Sequence, residues 1–151
     1  MNASLRGIAV LVVDDDADTL DLLELVLKDH EAEVRTASRA EDALALLEGW
    51  TPHVMILDVA MPDVDGCMLL QQIRARPATC EVPAIAFTAH AYERDRALTQ
   101  DAGFERYVAK PPTNVADLVN TVAELATRSI GDSATSGVRR STPPVPTRGT
   151  G

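Results

Sequence analysis

Residues 8–16 read Ile-Ala-Val-Leu-Val-Val-Asp-Asp-Asp, and this stretch decides the fold of the 151-residue chain. Its first six residues form a continuous apolar run that is rich in β-branched side chains. Such a run is typical of a strand buried on both faces, as in a parallel sheet. Three aspartates follow at once, and Asp16 or Asp18 is placed to cap a helix. That helix carries an apolar stripe, which consists of Leu20, Leu22, Leu23, Val26 and Leu27.

The same alternation of apolar strand and amphipathic helix continues along the chain. Further strands are predicted near residues 34–37, 54–57, 84–87 and 107–109, and further helices near 40–47, 69–73, 92–102 and 115–125. Ser38, with Glu41 three residues later, is the predicted N-cap of the second helix. Five strands alternating with five helices imply a doubly wound α/β fold, with a parallel sheet and helices on both faces.

The net charge of −9 is unevenly distributed along the chain. Residues 1–127 hold 22 acidic and 10 basic residues and therefore carry −12, whereas residues 128–151 carry +3. An acidic body argues against direct nucleic-acid binding through phosphate neutralisation. The tail is rich in Ser, Thr, Gly and Pro and cannot bury enough apolar surface to offset its ordering entropy. We expect a folded domain over residues 1–127 and a disordered basic tail or linker over 128–151.

Targeting and redox signals are weak in this sequence. No apolar run approaches the ~20 residues of a membrane span, and the first residues do not read as a signal peptide. We therefore expect a cytoplasmic protein that does not bind membranes. Cys67 and Cys80 are too few and too far apart for a disulfide framework or a zinc site, and they read as free thiols.

Polar residues follow the predicted strands at their carboxyl ends, where ligands bind in open parallel sheets. They are Asp14, Asp15 and Asp16 after the first strand, Asp58 after the third, Thr88 after the fourth and Lys110 after the fifth. Converging carboxylates repel each other unless a cation lies among them, and oxygen ligands favour Mg²⁺. A lysine can balance charge and hold a phosphoryl group, and a threonine hydroxyl can donate to it. One carboxylate can then act as the nucleophile that forms an acyl phosphate.

These motifs together resemble the response-regulator receiver domain of two-component signalling, in its chemotaxis-regulator-like form. The resemblance covers residues 7–127. It is carried by Val-Val-Asp-Asp-Asp at 12–16, Met-Ile-Leu-Asp at 55–58, Met-Pro-x-x-Asp-Gly at 61–66, Phe-Thr-Ala at 87–89 and Tyr-Val-Ala-Lys-Pro at 107–111. It implies a flavodoxin-like, five-stranded sheet in the order 2-1-3-4-5. It also implies a phosphorelay protein that turns over no outside substrate and catalyses only its own phosphorylation and dephosphorylation.

The resemblance also implies a role for each residue of the acidic site. Asp58 would accept a phosphoryl group from a sensor histidine kinase or a histidine phosphotransfer protein. Mg²⁺ would be bound by Asp15, Asp58 and the backbone carbonyl of Ala60, and Asp14 would act through a metal-bound water. Asp16 lies one place beyond the acidic pair and is interpreted as a helix-start residue.

The switch is implied by the same resemblance. Lys110 and Thr88 would contact the phosphoryl group, and Tyr107 would follow Thr88 inward as the switch aromatic. The output face would be the fourth helix, fifth strand and fifth helix, which an unidentified downstream protein would bind. A phosphorylation-dependent homodimer is left open. A stand-alone regulator and a receiver of a hybrid histidine kinase both fit the sequence, and the pattern Thr-Ala-His at 88–90 favours the hybrid kinase.

Two residues that vary within the family are expected to tune the rate. Ala60 offers no polar side chain to position an attacking water, so we expect slower self-dephosphorylation than in relatives with a polar residue there. His90 either shields the phosphoryl group or lies exposed at a helix start. His30 and His53 lie away from the strand ends, and we interpret them as structural or exposed.

A Mg²⁺-dependent phosphatase with an aspartyl nucleophile is the alternative function. The patterns Asp14-x-Asp16 and Asp16-x-Asp18-Thr19 superficially suit such an enzyme, but they leave Asp58 and the Met-Pro pair at 61–62 unexplained. A pseudo-receiver that only binds partners is disfavoured, because every residue needed for phosphorylation is present.

Overall fold

The structure is a computed structural model that describes residues 4–59, 66–88, 103–109 and 115–136. These residues contain a five-stranded sheet in which all neighbouring strands are parallel. The strand order is β2-β1-β3-β4-β5, which confirms the predicted doubly wound, flavodoxin-like fold. The strands are β1 (Ala9–Val13), β2 (Glu33–Ala37), β3 (Val54–Asp58), β4 (Ala84–Thr88) and β5 (Arg106–Ala109).

The helices in the described ranges are α1 (Ala17–Asp29), α2 (Ala40–Leu46), α3 (Gly66–Arg74) and a C-terminal helix (Val115–Ser136). None of these helices combines the length and the apolar character that crossing a membrane requires. The predicted helix near 92–102 lies outside the described residues.

The backbone of the C-terminal helix continues to Ser136, past residue 127 where the folded domain was predicted to end, and the division into a domain and a tail stays a prediction. Extending a helix adds one hydrogen bond for each residue that becomes ordered, whereas starting a helix is costly. The composition of residues 128–136 therefore did not prevent them from joining a helix that already existed. The rest of the predicted tail, residues 137–151, lies outside the described part of the chain.

Strand side chains alternate between two apolar cores, one on each face of the sheet. Val10 and Val12 pack on the side of α1 and the C-terminal helix. Leu11 and Val13 pack on the side of α2 and α3. All five residues of β1 are buried, as its continuous apolar run predicted. The central strands β1 and β3 are therefore apolar along their length, and the first polar side chains come at their carboxyl ends.

Helix α1 begins at the predicted cap. The carboxylate of Asp16 accepts a hydrogen bond from the Asp18 backbone N–H at 3.3 Å and from the Thr19 hydroxyl at 2.6 Å. Leu20 belongs to the buried face of the helix, but Leu22 is 43% exposed. Two residues correspond to about 200° of helical rotation, so Leu22 points away from the core and the apolar stripe is narrower than predicted.

The predicted capping box of α2 is wrong. Arg39, rather than Ser38, is the N-cap residue, and its side chain makes no capping hydrogen bond. Glu41, which was expected to reach back to the backbone, forms an ion pair with Arg39 at 2.9 Å. The guanidinium therefore takes the carboxylate that the capping box would have used.

Paired charges hold the amino edge of the sheet, where β4 and β5 begin. Arg74, at the end of α3, donates to the backbone carbonyls of Val82 and Gly103. Its guanidinium also donates to both carboxylate oxygens of Glu105, at 3.2 and 3.3 Å. Glu105 accepts a further hydrogen bond from the backbone N–H of Ala84 at 2.8 Å. This network joins the end of α3 to the first residues of two strands.

Candidate functional site

Three carboxylates converge at the carboxyl edge of the sheet. Asp14, Asp15 and Asp58 each place a carboxylate oxygen within 4.8 Å of the other two. Asp14 is fully buried and Asp58 is 2% exposed, whereas Asp15 is exposed to solvent. β1 and β3 are hydrogen-bonded neighbours with Val13 opposite Leu57, so the residues that follow these two must lie side by side. Oxygen ligands at this spacing are suited to a hard divalent cation.

The backbone around Asp14 fixes its carboxylate. Its N–H donates to the carbonyl of Ala37, the last residue of β2, at 3.1 Å. One of its carboxylate oxygens, Oδ1, accepts a hydrogen bond from the backbone N–H of Asp16 at 2.9 Å. This buried carboxylate is therefore already oriented by the turn that connects β1 to α1.

The backbone beyond Asp58 is held by β4 and α3. The Val59 N–H donates to the carbonyl of Phe87 at 3.2 Å, and the Gly66 N–H donates to the carbonyl of Val59 at 3.0 Å. A Cβ atom on Gly66 would lie 2.5 Å from the carbonyl oxygen of Asp58 and 2.9 Å from the Cα of Val59. Such distances are too short for any side chain. The start of α3 can approach the end of β3 only because residue 66 is glycine.

Two of the other predicted site residues, Thr88 and Tyr107, lie in the part of the chain that the structure describes. Thr88 is the last residue of β4, on the strand next to Asp58, and only its backbone is described. Tyr107 is half-buried in β5 opposite Ala86, and it packs against the core on the side of α2 and α3. The predicted roles of Ala60, His90 and Lys110 fall on residues outside the described ranges.

Two histidines lie far from the carboxylates, as predicted. The Nδ1 atom of His53 accepts a hydrogen bond from the backbone N–H of Ala9 at 2.9 Å, at the amino end of β1. His30 lies at the end of α1, where its Nδ1 is 2.9 Å from the carbonyl oxygen of Val26. Both side chains are half-buried and contact backbone groups, so their structural interpretation is confirmed.

Two residues of this region received no role from the sequence. Gly66 lies at the end of a turn-rich segment and directly begins a helix, which is a signal of close backbone packing. Thr19 lies three residues after the cap of α1, at a spacing that lets a side chain reach back to the cap residue. Its hydroxyl makes that contact with Asp16.

The amino-acid sequence is similar to those of known signalling proteins. The response regulator receiver domain family matches residues 10–123. An uncharacterized 14.6 kDa protein of Leptolyngbya boryana is 45% identical over 108 residues, which are 72% of this chain and 82% of that protein. The transcriptional regulatory protein PrrA of Mycobacterium tuberculosis is 35% identical over 136 residues, covering 90% of this chain and 57% of the relative. The chain thus spans little more than half the length of that regulator.

Solved structures give the same result. The receiver domain of a Pseudomonas aeruginosa sensor histidine kinase, with a magnesium ion coordinated in its active-site cleft, superposes with a TM-score of 0.73 at 27% identity. The match covers 80% of this chain and 98% of that domain. A response regulator receiver domain protein of Methanospirillum hungatei gives a TM-score of 0.74 at 28% identity, over 85% of this chain and 99% of the other. The chain therefore belongs to the response regulator receiver domains of two-component signalling.

Proposed function

We propose that this chain is a phosphorylation-switched module in which Asp58 accepts a phosphoryl group in the presence of Mg²⁺. One observation carries the proposal: the buried carboxylate of Asp58 lies within 4.8 Å of two further carboxylates, Asp14 and Asp15, at the end of a parallel sheet. Carboxylates in such a position can act as nucleophiles toward phosphorus. The phosphodonor is a sensor histidine kinase or a histidine phosphotransfer protein.

The residues at this edge fit a magnesium ion. Their donor atoms are all oxygens, and these oxygens lie close enough to one another to be shared by one small cation. Asp15 and Asp58 are the proposed direct ligands, the carbonyl of Ala60 is a third, and Asp14 contacts the ion through a water. When bound, the ion neutralises charge on the phosphoryl group.

The transfer forms one bond to phosphorus and breaks another. An oxygen of Asp58 forms a bond to phosphorus while the bond between phosphorus and the donor histidine nitrogen breaks, and the electron pair returns to the imidazole. Lys110 and Thr88 contact the transferred oxygens. Water later attacks phosphorus, which releases inorganic phosphate and regenerates the carboxylate. Ala60 and His90 are proposed to set the rate of that hydrolysis. The chain turns over no outside substrate.

The output is a change in the population of two conformations, which phosphorylation shifts through local contacts of Thr88 and Tyr107. The proposed output face comprises the segment between β4 and β5, β5 itself and the C-terminal helix. An acidic domain of this kind supports a protein partner or a second copy of the chain over direct nucleic-acid contact. A cytoplasmic location, and either a stand-alone regulator or part of a hybrid kinase, fit the same proposal.

The phosphatase alternative needs a nucleophile and an acid/base residue on the turn after β1. The carboxylate of Asp16 is engaged there, since it caps α1 and accepts from the Thr19 hydroxyl. This arrangement favours a structural task for Asp16 and leaves Asp58 as the better-placed nucleophile.

A labelling experiment tests the proposal. The full chain is incubated with Mg²⁺ and isotopically labelled acetyl phosphate, and bound phosphate is counted before and after treatment with hydroxylamine, which cleaves acyl phosphates. We expect the parent and Asp16→Asn to be labelled at saturating Mg²⁺ and Asp58→Asn to be unlabelled. Label that survives in Asp58→Asn but disappears in Asp16→Asn would support the phosphatase instead.

A further inference from the structure

We propose that Thr19 and Asp16 are positioning residues of the metal site, which act by fixing the carboxylate of Asp14. The inference rests on the proposed function, since it assigns these residues to the Mg²⁺ site of the receiver. It adds two residues that contact neither the cation nor the phosphoryl group. Their effect is transmitted by a short series of hydrogen bonds from the surface of α1 to the buried carboxylate of Asp14.

The series begins at the Thr19 hydroxyl, which donates to Oδ2 of Asp16 at 2.6 Å. The second oxygen of Asp16, Oδ1, accepts from the backbone N–H of Asp18 at 3.3 Å. A carboxylate bound through both oxygens cannot rotate freely about its Cβ–Cγ bond. The side chain of Asp16 is thereby fixed at two points of the first turn of α1, and its backbone is fixed with it.

The backbone N–H of Asp16 is the group that reaches the site. It donates to Oδ1 of Asp14 at 2.9 Å. Asp14 is fully buried, so bulk water is not there to orient its carboxylate. The turn supplies that orientation, and it does so before a cation binds. Preorganised ligands bind more tightly, because less conformational freedom is lost on binding.

The hydrogen bond from Thr19 to Asp16 is additional to the one that caps α1. The cap is already provided by the hydrogen bond from the Asp18 N–H, and the carbonyl of Asp16 accepts the first helical bond from the Leu20 N–H at 3.1 Å. The Thr19 contact is the shortest of the three and is a charge-assisted hydrogen bond. It adds rigidity to a residue whose backbone holds Asp14.

Substitution of Thr19 tests this arrangement without changing the charge near the site. Thr19→Val keeps the shape of the side chain and removes the hydroxyl, whereas Thr19→Ser keeps the hydroxyl and serves as the matched control. Thr19→Ala is a second variant that lacks the hydroxyl. Mg²⁺ affinity of the full chain is measured by titration calorimetry with the metal alone. Labelling by acetyl phosphate is then followed as a function of Mg²⁺ concentration.

We expect Thr19→Val and Thr19→Ala to weaken Mg²⁺ binding by up to about tenfold, which is the smallest loss found when direct partners of metal ligands are removed, because Thr19 acts on Asp14 through Asp16. Thr19→Ser should bind within about twofold of the parent, in line with its retained donor. At saturating Mg²⁺ the labelling rate of all three should equal that of the parent. A purely structural role of Thr19 would lower the melting temperature and leave the half-saturating Mg²⁺ concentration unchanged.

The outcomes separate the two proposals. If the parent binds Mg²⁺ and is labelled at Asp58, but variants with and without the hydroxyl have the same affinity, the inference is overturned and the proposed function stands. If the parent shows no saturable Mg²⁺ binding, both are overturned. A loss of affinity in Thr19→Val and Thr19→Ala that Thr19→Ser does not share supports the inference.

Discussion

The carboxyl and amino edges of the sheet differ in how their charged side chains are arranged. At the carboxyl edge, three carboxylates lie within 4.8 Å of each other, and two of them are buried. At the amino edge, Arg74 and Glu105 neutralise each other, and both also bind backbone groups. The amino edge therefore carries paired charges that stabilise the fold, whereas the carboxyl edge gathers like charges that a bound cation would neutralise. Functional sites commonly lower stability in this way, and the rest of the fold compensates.

Helix α3 connects these edges physically. Its first residue, Gly66, lies against the backbone of Asp58, and its last residue, Arg74, donates to carbonyls of the segments that precede β4 and β5. If the comparison is right, changes at one edge should alter stability alone, and changes at the other should alter the response to Mg²⁺.

Mg²⁺ itself should have the largest effect. At about 100 times its dissociation constant, it should raise the free energy of unfolding of the parent by about 2.7 kcal/mol, because it binds only the folded state. Urea unfolding with and without Mg²⁺ measures this gain. Arg74→Ala should keep the full gain and Asp14→Asn should lose most of it. A gain that disappears in Arg74→Ala would mean that the two edges are not independent.

Removal of Arg74 should destabilise the chain whether or not Mg²⁺ is present. Arg74→Ala is expected to cost about 2 kcal/mol of unfolding free energy, since hydrogen bonds to charged groups contribute about 1.5–3 kcal/mol. Its side chain is 21% exposed, so the pair is only partly screened by water. The control is Arg6→Ala, which breaks the exposed pair with Glu31 and should shift the urea midpoint far less. Equal shifts for the two variants would contradict the stabilising role of the amino edge.

Gly66→Ala should damage the carboxyl edge by steric conflict. The new Cβ would meet backbone atoms of residues 58 and 59, so strand and helix must separate, at an expected cost of about 1.5 kcal/mol. Weaker Mg²⁺ binding should accompany this loss, since Asp58 would shift with its backbone.

The matched control for Gly66→Ala is Gly49→Ala. A Cβ at residue 49 has no atom within 4 Å, and the residue has no positive φ. Thermal unfolding and Mg²⁺ calorimetry of the two variants make the comparison. A normal Mg²⁺ affinity in Gly66→Ala would show that α3 does not need to approach Asp58 so closely.

Asp14→Asn should give the smallest change, and in the opposite direction. Without divalent cations, this variant should be about 1 kcal/mol more stable than the parent, because it removes one of three like charges that lie within 4.8 Å of one another. Asparagine keeps an oxygen that can accept from the Asp16 N–H, so the turn is preserved. Unfolding in buffer with a chelator measures the gain, which should shrink at high salt. A destabilised variant would indicate that the contacts of the buried Asp14 carboxylate outweigh the repulsion between the three acids.

Much of the carboxyl edge could be predicted from sequence, for a geometric reason. Asp14 and Asp58 each follow an apolar run, and parallel strands necessarily end at the same edge of their sheet. The N-cap at Asp16 could also be predicted, because it depends only on residues that are close in sequence. The strand order came from the family resemblance, because alternation alone does not choose between parallel arrangements.

The features that sequence reasoning missed depend on distances between segments far apart in the chain. Arg74 and Glu105 are separated by 31 residues, and no local pattern pairs them. The contact of Gly66 with Asp58 depends on the angle at which α3 enters. The capping box at Ser38 did not form, since Arg39 is the N-cap of α2 and Glu41 pairs with Arg39 instead. In each case a long-range or competing interaction decided the outcome.

The alternation of β1 between two cores has a consequence for the chemistry. Val10 and Val12 serve one core, and Leu11 and Val13 serve the other. A shift of this strand by one residue would exchange these side chains between cores of different shape and displace Asp14 by about 3.3 Å. Packing in both cores disfavours that shift. Residues that do not contact the carboxylates therefore keep Asp14 in line with Asp58. The alignment of the reactive edge in this receiver therefore depends on the parity of its central strand.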